Sequence, residues 1–267
     1  MTHCDLAGTG VLVTRPAHQS SLLAEAIRSI GGNPVMFPGV DIVQVPEESL
    51  LQTMALLPHS HFVIFVSPNA ARAGMQAIAT AGGLPASVKV AAVGPGTAGE
   101  LKKNGVHEII MPREGYDSES LAACPELREV SGKRILIVRG VGGRDELAGV
   151  LRARGAEVSF AECYRRARPQ RDFAELEALW RSRLIAAWTA TSAEIVDNLF
   201  DIAGERGRHQ LCRSPLFVSH SRIVARAFRY PVETIFVTAP GDSGLVAGLA
   251  TWFCRLRPAR IGTSKIS

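Results

Sequence analysis

The chain has 267 residues, of which 46% are hydrophobic and 21% charged, and its formal net charge is +5. This composition is that of an ordinary globular protein, and the length suits one large domain or two of about 130 residues each. The basic residues are spread along the chain rather than gathered in a run of like charge. This pattern disfavours a nucleic-acid-binding tail and favours an acidic small ligand.

The N-terminal segment MTHCDLAGTG is too polar for a signal peptide, and no apolar run reaches the ~18 residues that a membrane span needs. The cysteines lie far apart, without a C-x-x-C pair or the Cys/His spacing of a zinc site. We therefore expect a cytoplasmic protein with no membrane association, no bound metal and free thiols in a reducing environment. The cysteines are Cys4, Cys124, Cys163, Cys212 and Cys254.

Short apolar runs alternate along the chain with longer segments of helical periodicity. Segments such as 19–32 and 144–156 have apolar residues at i, i+3, i+4 and i+7 and end near glycine, which is typical of helices. This alternation predicts an α/β fold with parallel sheets, whose strands are buried on both faces. The predicted strands are residues 10–14, 61–66, 88–93, 108–112, 134–138, 184–189, 215–219 and 234–238.

The two halves of the chain resemble each other. Segment 11–32 aligns with segment 135–156, which places Arg15 on Arg139 and Leu23 on Leu147. Further matches follow in the same order and at nearly the same offset through the rest of each half. This internal repeat predicts two similar α/β domains with parallel sheets.

Gly94, Gly96 and Gly99 match the G-x-G-x-x-G pattern of dinucleotide-binding turns, so a nucleotide-dependent oxidoreductase is one alternative. The aligned segment of the second half, VSHSRIV, contains no glycine. The acidic residue that would hold a ribose is represented only by Glu114, which follows Arg113. We therefore favour a tight turn before a helix, whose backbone N–H groups face an anion.

Seven motifs occur in an order that resembles the uroporphyrinogen-III synthase family: VLVTRP, FVSPNAA, AAVGPGTA, GYDSESL, GKRILIVRGVGGRDEL, CYRR and VSHSR. The resemblance covers roughly residues 10–253. It implies two α/β domains joined by a two-stranded linker, with extended connectors at 35–46 and 158–169. The first domain would be discontinuous, and the domains would comprise residues 1–38 with 170–267, and residues 39–169.

The resemblance also implies the reaction, which is cyclisation of hydroxymethylbilane to uroporphyrinogen III with loss of water and inversion of the last pyrrole ring. It implies no cofactor and no metal, and it allows a hand-over of substrate from hydroxymethylbilane synthase. The substrate is a linear tetrapyrrole with many carboxylates, which suits a basic protein that closes two domains around it. A second alternative is a two-domain binding protein without catalytic activity.

Ligands of parallel sheets bind beyond the carboxyl ends of the strands, so we expect the substrate-binding residues there. Ordinary roles are open to all of them, since serine, threonine and asparagine also cap helices and arginine also pairs with nearby acids. For the two aligned arginines we expect that alanine weakens substrate binding and leaves Tm nearly unchanged. The candidates are Arg15, Ser67, Asn69, Gly96, Thr97, Arg139, Gly140, Arg144, Thr191, Ser192, Ser219, Ser221 and Arg222.

Tyr164, in the CYRR motif, matches a tyrosine of the family at the second connector. The resemblance makes it the candidate general acid for the departing hydroxyl group, and a phenol is protonated at neutral pH. A packing role in the linker is the alternative. The histidines are isolated, and His220 is expected to cap a helix or lie at the surface rather than act in catalysis. Control of the reaction would then come mainly from the orientation imposed on the substrate.

Overall fold

The computed structural model describes residues 5–182 and 184–255. The helices are α1 Ser21–Ser29, α2 Glu47–Met54, α3 Pro68–Thr80, α4 Pro95–Lys103, α5 Ser118–Ala122, α6 Glu146–Ala153, α7 Ala174–Arg181, α8 Ala193–Arg213, α9 Ser221–Ala227 and α10 Gly241–Arg255. The strands are β1 Gly10–Val13, β2 Asn33–Met36, β3 Asp41–Gln44, β4 Phe62–Phe65, β5 Lys89–Ala92, β6 Ile109–Ile110, β7 Arg134–Gly140, β8 Glu157–Ala167, β9 Ala187–Ala190, β10 Leu216–Val218 and β11 Ile235–Val237.

The strands form two sheets, in the orders β11-β10-β9-β1-β2 and β3-β8-β7-β4-β5-β6. The pairings of β1 with its two neighbours and of β4 with its two neighbours are parallel. Each of the eight predicted strands overlaps one of these strands. The α/β fold with parallel sheets is therefore confirmed.

The central strands are mostly apolar because helices cover both faces of each sheet. In β4, Val63 and Phe65 pack in one cluster with α3, whereas Phe62 and Ile64 pack in another cluster with Leu147 of α6. Alternate side chains of a strand point to opposite faces, so a strand between two layers of helices needs apolar residues at every position. In β4, β5 and β7 the charged side chains, which are Lys89, Arg134 and Arg139, lie at or next to the ends of the strands.

The chain divides into two compact units. Unit 1 contains the chain up to Asp41 and from Ala167 onward, and unit 2 is Ile42–Arg166. The chain thus passes from one unit to the other within β3 and near the end of β8, which are neighbours in one sheet. The two units meet after residues 41 and 166, whereas the predicted domain boundaries follow residues 38 and 169, a difference of three residues at each boundary.

The two sheets share one strand order. Read from β6, the larger sheet runs β6-β5-β4-β7-β8, and the smaller sheet runs β11-β10-β9-β1-β2. These five strands of the larger sheet therefore correspond in position to the five strands of the smaller one, whereas β3, at the edge beside β8, has no counterpart. The internal repeat of the sequence itself stays a prediction.

The cysteines differ from the expectation at one position. Cys124, Cys163 and Cys212 are free and buried, but Cys254 is disulfide-bonded, so the prediction of free thiols is wrong for Cys254. Cys4 lies outside the described residues. Cys163, on β8, donates from Sγ to the carbonyl oxygen of Arg139 at 3.2 Å.

Burial of Cys163 gives the stability of the fold a dependence on alkaline pH. Desolvation raises the pKa of this thiol to about 12, whereas an unfolded chain loses the proton near 9.0. Between these values the folded protein holds a proton that the unfolded chain has lost, so the free energy of unfolding falls as pH rises. We expect urea denaturation at pH 8 and pH 10 to show a smaller loss of stability for Cys163→Ala than for the parent. Equal losses in both proteins would contradict this assignment.

Candidate active site

The chain order reverses once in each sheet, and the reversal marks where a ligand can bind. In unit 2 it falls between β4 and β7, and in unit 1 between β1 and β9. At such a point the loops after the two strands run to opposite sides of the sheet and leave a crevice beyond the carboxyl ends. The first strand pair leads to Ser67 and Gly140, and the second leads to Arg15 and Thr191.

Ser67 and Tyr164 form a hydroxyl pair at the crevice of unit 2. Ser67 directly precedes α3, and its Oγ accepts a hydrogen bond from the backbone N–H of Ala70 at 3.1 Å, as an N-cap does. The same Oγ lies 3.1 Å from the Tyr164 hydroxyl oxygen. Tyr164 is only 4% exposed, whereas Ser67 is partly exposed. The structure thus brings together the candidate acid and one candidate binding residue.

Gly140 provides the space for the ring of Tyr164. A Cβ atom at this position would lie 2.7 Å from Cζ of Tyr164, closer than non-bonded carbons approach. The strands β7 and β8 shift register here, so that Arg139 pairs with Glu162 but Gly140 pairs with Tyr164. This register shift places Tyr164 directly beside Gly140, where its ring packs in the apolar cluster of α3. Gly140 is therefore needed as the place where an aromatic ring crosses the backbone.

Arg139 uses nearly all of the N–H donors of its guanidinium in hydrogen bonds within unit 2. Nη2 donates to Glu162 Oε1 at 3.0 Å, and Nη1 donates to Asp145 Oδ1 at 2.6 Å and to the carbonyl oxygen of Gly143 at 3.2 Å. The guanidinium carbon also lies 3.6 Å from the centre of the Phe160 ring. These contacts tie the loop after β7 to β8. They indicate a structural role, against the expectation that alanine at Arg139 would leave Tm nearly unchanged.

The remaining candidates of unit 2 differ in exposure. Asn69 is 8% exposed in the first turn of α3, and Thr97 is 3% exposed in α4. Arg144 is exposed in the loop after β7, and the described residues show no ion pair for its side chain. Their contacts with a substrate stay predictions.

The glycine-rich turn before α4 lacks the packing of a dinucleotide site. Gly94 is the N-cap of α4, and a Cβ there would lie 3.2 Å from Cβ of Tyr116. A Cβ on Gly96 would have Pro68 Cγ at 3.5 Å as its nearest neighbour, and Gly99 faces open space. The third glycine of a dinucleotide fingerprint permits close contact between helix and strand, a need that Gly99 does not have here.

Tyr116 is a residue that the sequence analysis missed. Its ring is 50% exposed, its backbone has φ of 40°, and its side chain packs over Gly94. A non-glycine residue in the left-handed region is uncommon and often marks a functional position. The GYDSESL motif contained it, but a tyrosine in a loop carries no local signal for this conformation.

In unit 1, Arg15 is paired rather than free. Its Nη1 donates to Asp242 Oδ1 at 2.6 Å, and Asp242 lies in the first turn of α10. The neighbouring Thr14 is fully buried and donates to the carbonyl oxygen of Thr189, while Thr189 donates to that of Leu12. Asp242 was not among the predicted site residues.

The other candidates of unit 1 follow β9 and β10. Thr191 and Ser192 come after β9, and Ser192 is the N-cap of α8, accepting from the backbone N–H of Ile195 at 3.3 Å. His220 caps α9 by accepting from the N–H of Arg222 at 3.0 Å, which confirms its predicted capping role. Ser219 is partly exposed, whereas Ser221 and Arg222 are exposed.

A partly exposed charge cluster connects α9, which follows or carries these groups, to α8. Asp197 accepts from Arg226 Nε at 2.7 Å and from the Tyr230 hydroxyl at 2.8 Å. Burial acts to raise the pKa of Asp197, but the hydrogen bonds from Arg226 and Tyr230 outweigh it and lower that pKa below its usual value. The carboxylate therefore stays charged at neutral pH and keeps its two partners.

Within residues 5–182 and 184–255, no group of three or more His, Cys, Asp or Glu side chains could hold a metal ion. None of the helices in this part of the chain is long and apolar enough to cross a membrane.

Comparison with known proteins identifies the family. The family model described as uroporphyrinogen-III synthase HemD matches residues 21–246. The chain belongs to the uroporphyrinogen-III synthase family. The resemblance seen in the motifs is thereby confirmed, and the match includes every strand and helix of unit 2.

Relatives and solved structures agree with this family. The uroporphyrinogen-III synthase of Salmonella typhimurium is 34% identical over 87% of this chain and 96% of its own length, and that of Escherichia coli is 33% identical over the same shares. A mutant uroporphyrinogen III synthase from Thermus thermophilus has a TM-score of 0.59 at 19% identity, covering 93% of this chain and 98% of its own. The Helicobacter pylori synthetase has a TM-score of 0.56 at 13% identity, covering 93% and 100%. The two structures confirm the α/β fold.

The contacts of Arg139 predict that it supports folding. Alanine would remove its charged hydrogen bonds and leave the carboxylates and carbonyls of the loop without their donor, at a cost of about 1.5–3 kcal/mol. Urea denaturation of Arg139→Ala should show this loss. The matched control is Arg144→Ala, an exposed arginine of the same loop, which should stay within about 0.5 kcal/mol of the parent. Equal stability of the two variants would return Arg139 to the list of free binding residues.

Gly94, the N-cap of α4, and Gly96, in the first turn of that helix, provide a second matched pair. Gly96→Ala places a methyl group in ordinary contact with Pro68, so the fold should tolerate it and the stability should stay within about 0.5 kcal/mol. Gly94→Ala forces Tyr116 to move and should lower the stability. A fall in kcat/KM for Gly96→Ala at unchanged stability would then report a ligand that approaches this backbone. A destabilised Gly96→Ala would contradict the prediction.

Proposed function

We propose that this protein catalyses the cyclisation of hydroxymethylbilane to uroporphyrinogen III, with loss of water and inversion of the terminal pyrrole ring. Family membership supports this reaction, and the observation that carries it in the structure is the Ser67–Tyr164 hydroxyl pair at the crevice of unit 2. The reaction removes water and transfers no net electrons. Its stoichiometry therefore requires no redox cofactor.

The substrate carboxylates need cations that are not already paired. Arg15 and Arg139 have carboxylate partners inside their own units, so binding a substrate would cost them an existing ion pair. Arg144 and Arg222 are exposed, and the described part of the chain shows no ion pair for either. We assign them to the substrate carboxylates, with Thr191, Ser192, Ser219 and Ser221 as neutral hydrogen-bonding groups in unit 1.

The chemistry demands orientation more than strong acids or bases. The departing hydroxyl group needs a proton donor, for which Tyr164 is the source in this proposal. The electrophile left behind must then be attacked at the substituted carbon of the terminal ring rather than at its free carbon. Holding both ends of the substrate by several weak contacts achieves this selection. Hand-over from hydroxymethylbilane synthase and a cytoplasmic location remain parts of the proposal.

An isomer assay tests the function directly. Purified protein is mixed with hydroxymethylbilane, and the products are oxidised and separated as type I and type III porphyrins. We expect type III to dominate, because only a directed attack inverts the terminal ring. The spontaneous reaction without protein measures the type I background. Type I alone, at the spontaneous rate, would contradict the proposal, and substrate binding without turnover would favour a binding protein.

A further inference from the structure

We propose that Ser67, and not Tyr164, presents its hydroxyl proton to the departing group of the substrate, and that Tyr164 acts through Ser67. This inference rests on the proposed function, which it makes more specific. It changes the predicted role of both residues, since Ser67 was expected to bind substrate and Tyr164 to protonate it directly.

Counting hydrogen bonds shows how many protons the pair can offer. A serine hydroxyl has one donor and two lone pairs, and the backbone N–H of Ala70 already occupies one lone pair of Ser67. Ser67 and Tyr164 share one hydrogen bond between their oxygens, at 3.1 Å, which uses one of their two protons. One proton is left to point outward. If Tyr164 donates to Ser67, that proton belongs to Ser67, whose lone pairs are then both occupied.

The burial of the two residues indicates which of their hydroxyl oxygens faces the substrate. Tyr164 is 4% exposed, and its ring lies against the backbone of Gly140, where a Cβ would be 3.1 Å from the hydroxyl oxygen and 2.7 Å from Cζ. Ser67 is partly exposed at the start of α3. A substrate reaching the end of the sheet therefore meets Ser67 first, with the phenol behind it. The capping bond to Ala70 holds the serine in place.

The protons balance over the reaction. The bond between the hydroxymethyl carbon and its oxygen breaks, and that oxygen leaves as water with the proton of Ser67. The proton of Tyr164 moves to Ser67 Oγ, which leaves a phenolate. Ring closure makes one net carbon–carbon bond and releases one proton from the terminal ring. This proton returns to the phenolate through the same two oxygens, so the enzyme ends as it began.

A double-mutant cycle on the whole protein tests whether Tyr164 acts on the substrate through Ser67. General acid catalysis is worth 10²–10⁴-fold, and we expect the low end because the substrate ionises readily, so Tyr164→Phe should lower kcat roughly tenfold to a hundredfold. Ser67→Gly removes the hydroxyl, and glycine is tolerated at an N-cap, so kcat should fall at least as much with little change in KM. Adding Tyr164→Phe to Ser67→Gly should then change kcat by less than about threefold, because the path through Ser67 is already lost.

Controls separate the relay from loss of structure. Ser60→Gly also removes a hydrogen-bonded serine hydroxyl of unit 2, one that donates to the carbonyl oxygen of Leu56 before β4, and should keep kcat within about twofold of the parent. Ser67→Thr keeps both the hydroxyl and the cap and should restore most of the activity. If Ser67→Gly unfolds, Ser67→Asn replaces it, because asparagine keeps a capping oxygen and has no hydroxyl group, and urea midpoints are measured for every variant.

Two outcomes would overturn the inference. One is a cycle in which the two substitutions multiply, because Tyr164 would then reach the substrate without Ser67. The other is a Ser67 variant that folds and retains kcat within about twofold of the parent. Failure of the proposed function looks different, since the parent itself would then produce no type III isomer.

Discussion

Burial of parallel strands on both faces is the constraint on which the rest of this structure depends. In β4 every side chain is apolar and most belong to one of two apolar clusters, and the charged residues of its neighbours, Lys89, Arg134 and Arg139, lie at or next to strand ends. The polar residues are consequently placed after the strands, where the chain turns into a helix. Because parallel strands end on the same edge, these turns gather at one edge of each sheet. The packing of the sheets therefore already places the candidate residues at this edge, whatever chemistry they perform.

The strand ends are also where the fold needs its own hydrogen bonds. Arg139 donates hydrogen bonds to Glu162, Asp145 and loop carbonyl oxygens, and Arg15 donates to Asp242. The serines before α3 and α8 cap those helices. A residue at such a position can therefore serve stability and function together. The groups with unused capacity are the more informative ones for function, and these are the outward proton of the hydroxyl pair and the exposed arginines.

The pair of Ser67 and Tyr164 depends on contacts from three elements of unit 2. The cap of α3 positions the serine, β8 carries the tyrosine, and the glycine at the end of β7 lets the ring pass. The register shift between β7 and β8 aligns Gly140 with Tyr164 rather than with its neighbour. A change in any of these elements would move the hydroxyl groups apart. This explains why a weak pairing of two neutral groups can still have a defined geometry.

The sequence by itself determined eight of the strands and the fold class, because apolar runs and helical periodicity are local properties of the chain. It also identified the strand ends and, through the motifs, Ser67 and Tyr164. Only the tertiary structure decided what these residues contact. Arg15 meets Asp242 from 227 residues away, and Ser67 meets Tyr164 from 97 residues away. Such pairs depend on strand order, on register and on the space around a single glycine, and no local pattern of residues contains that information.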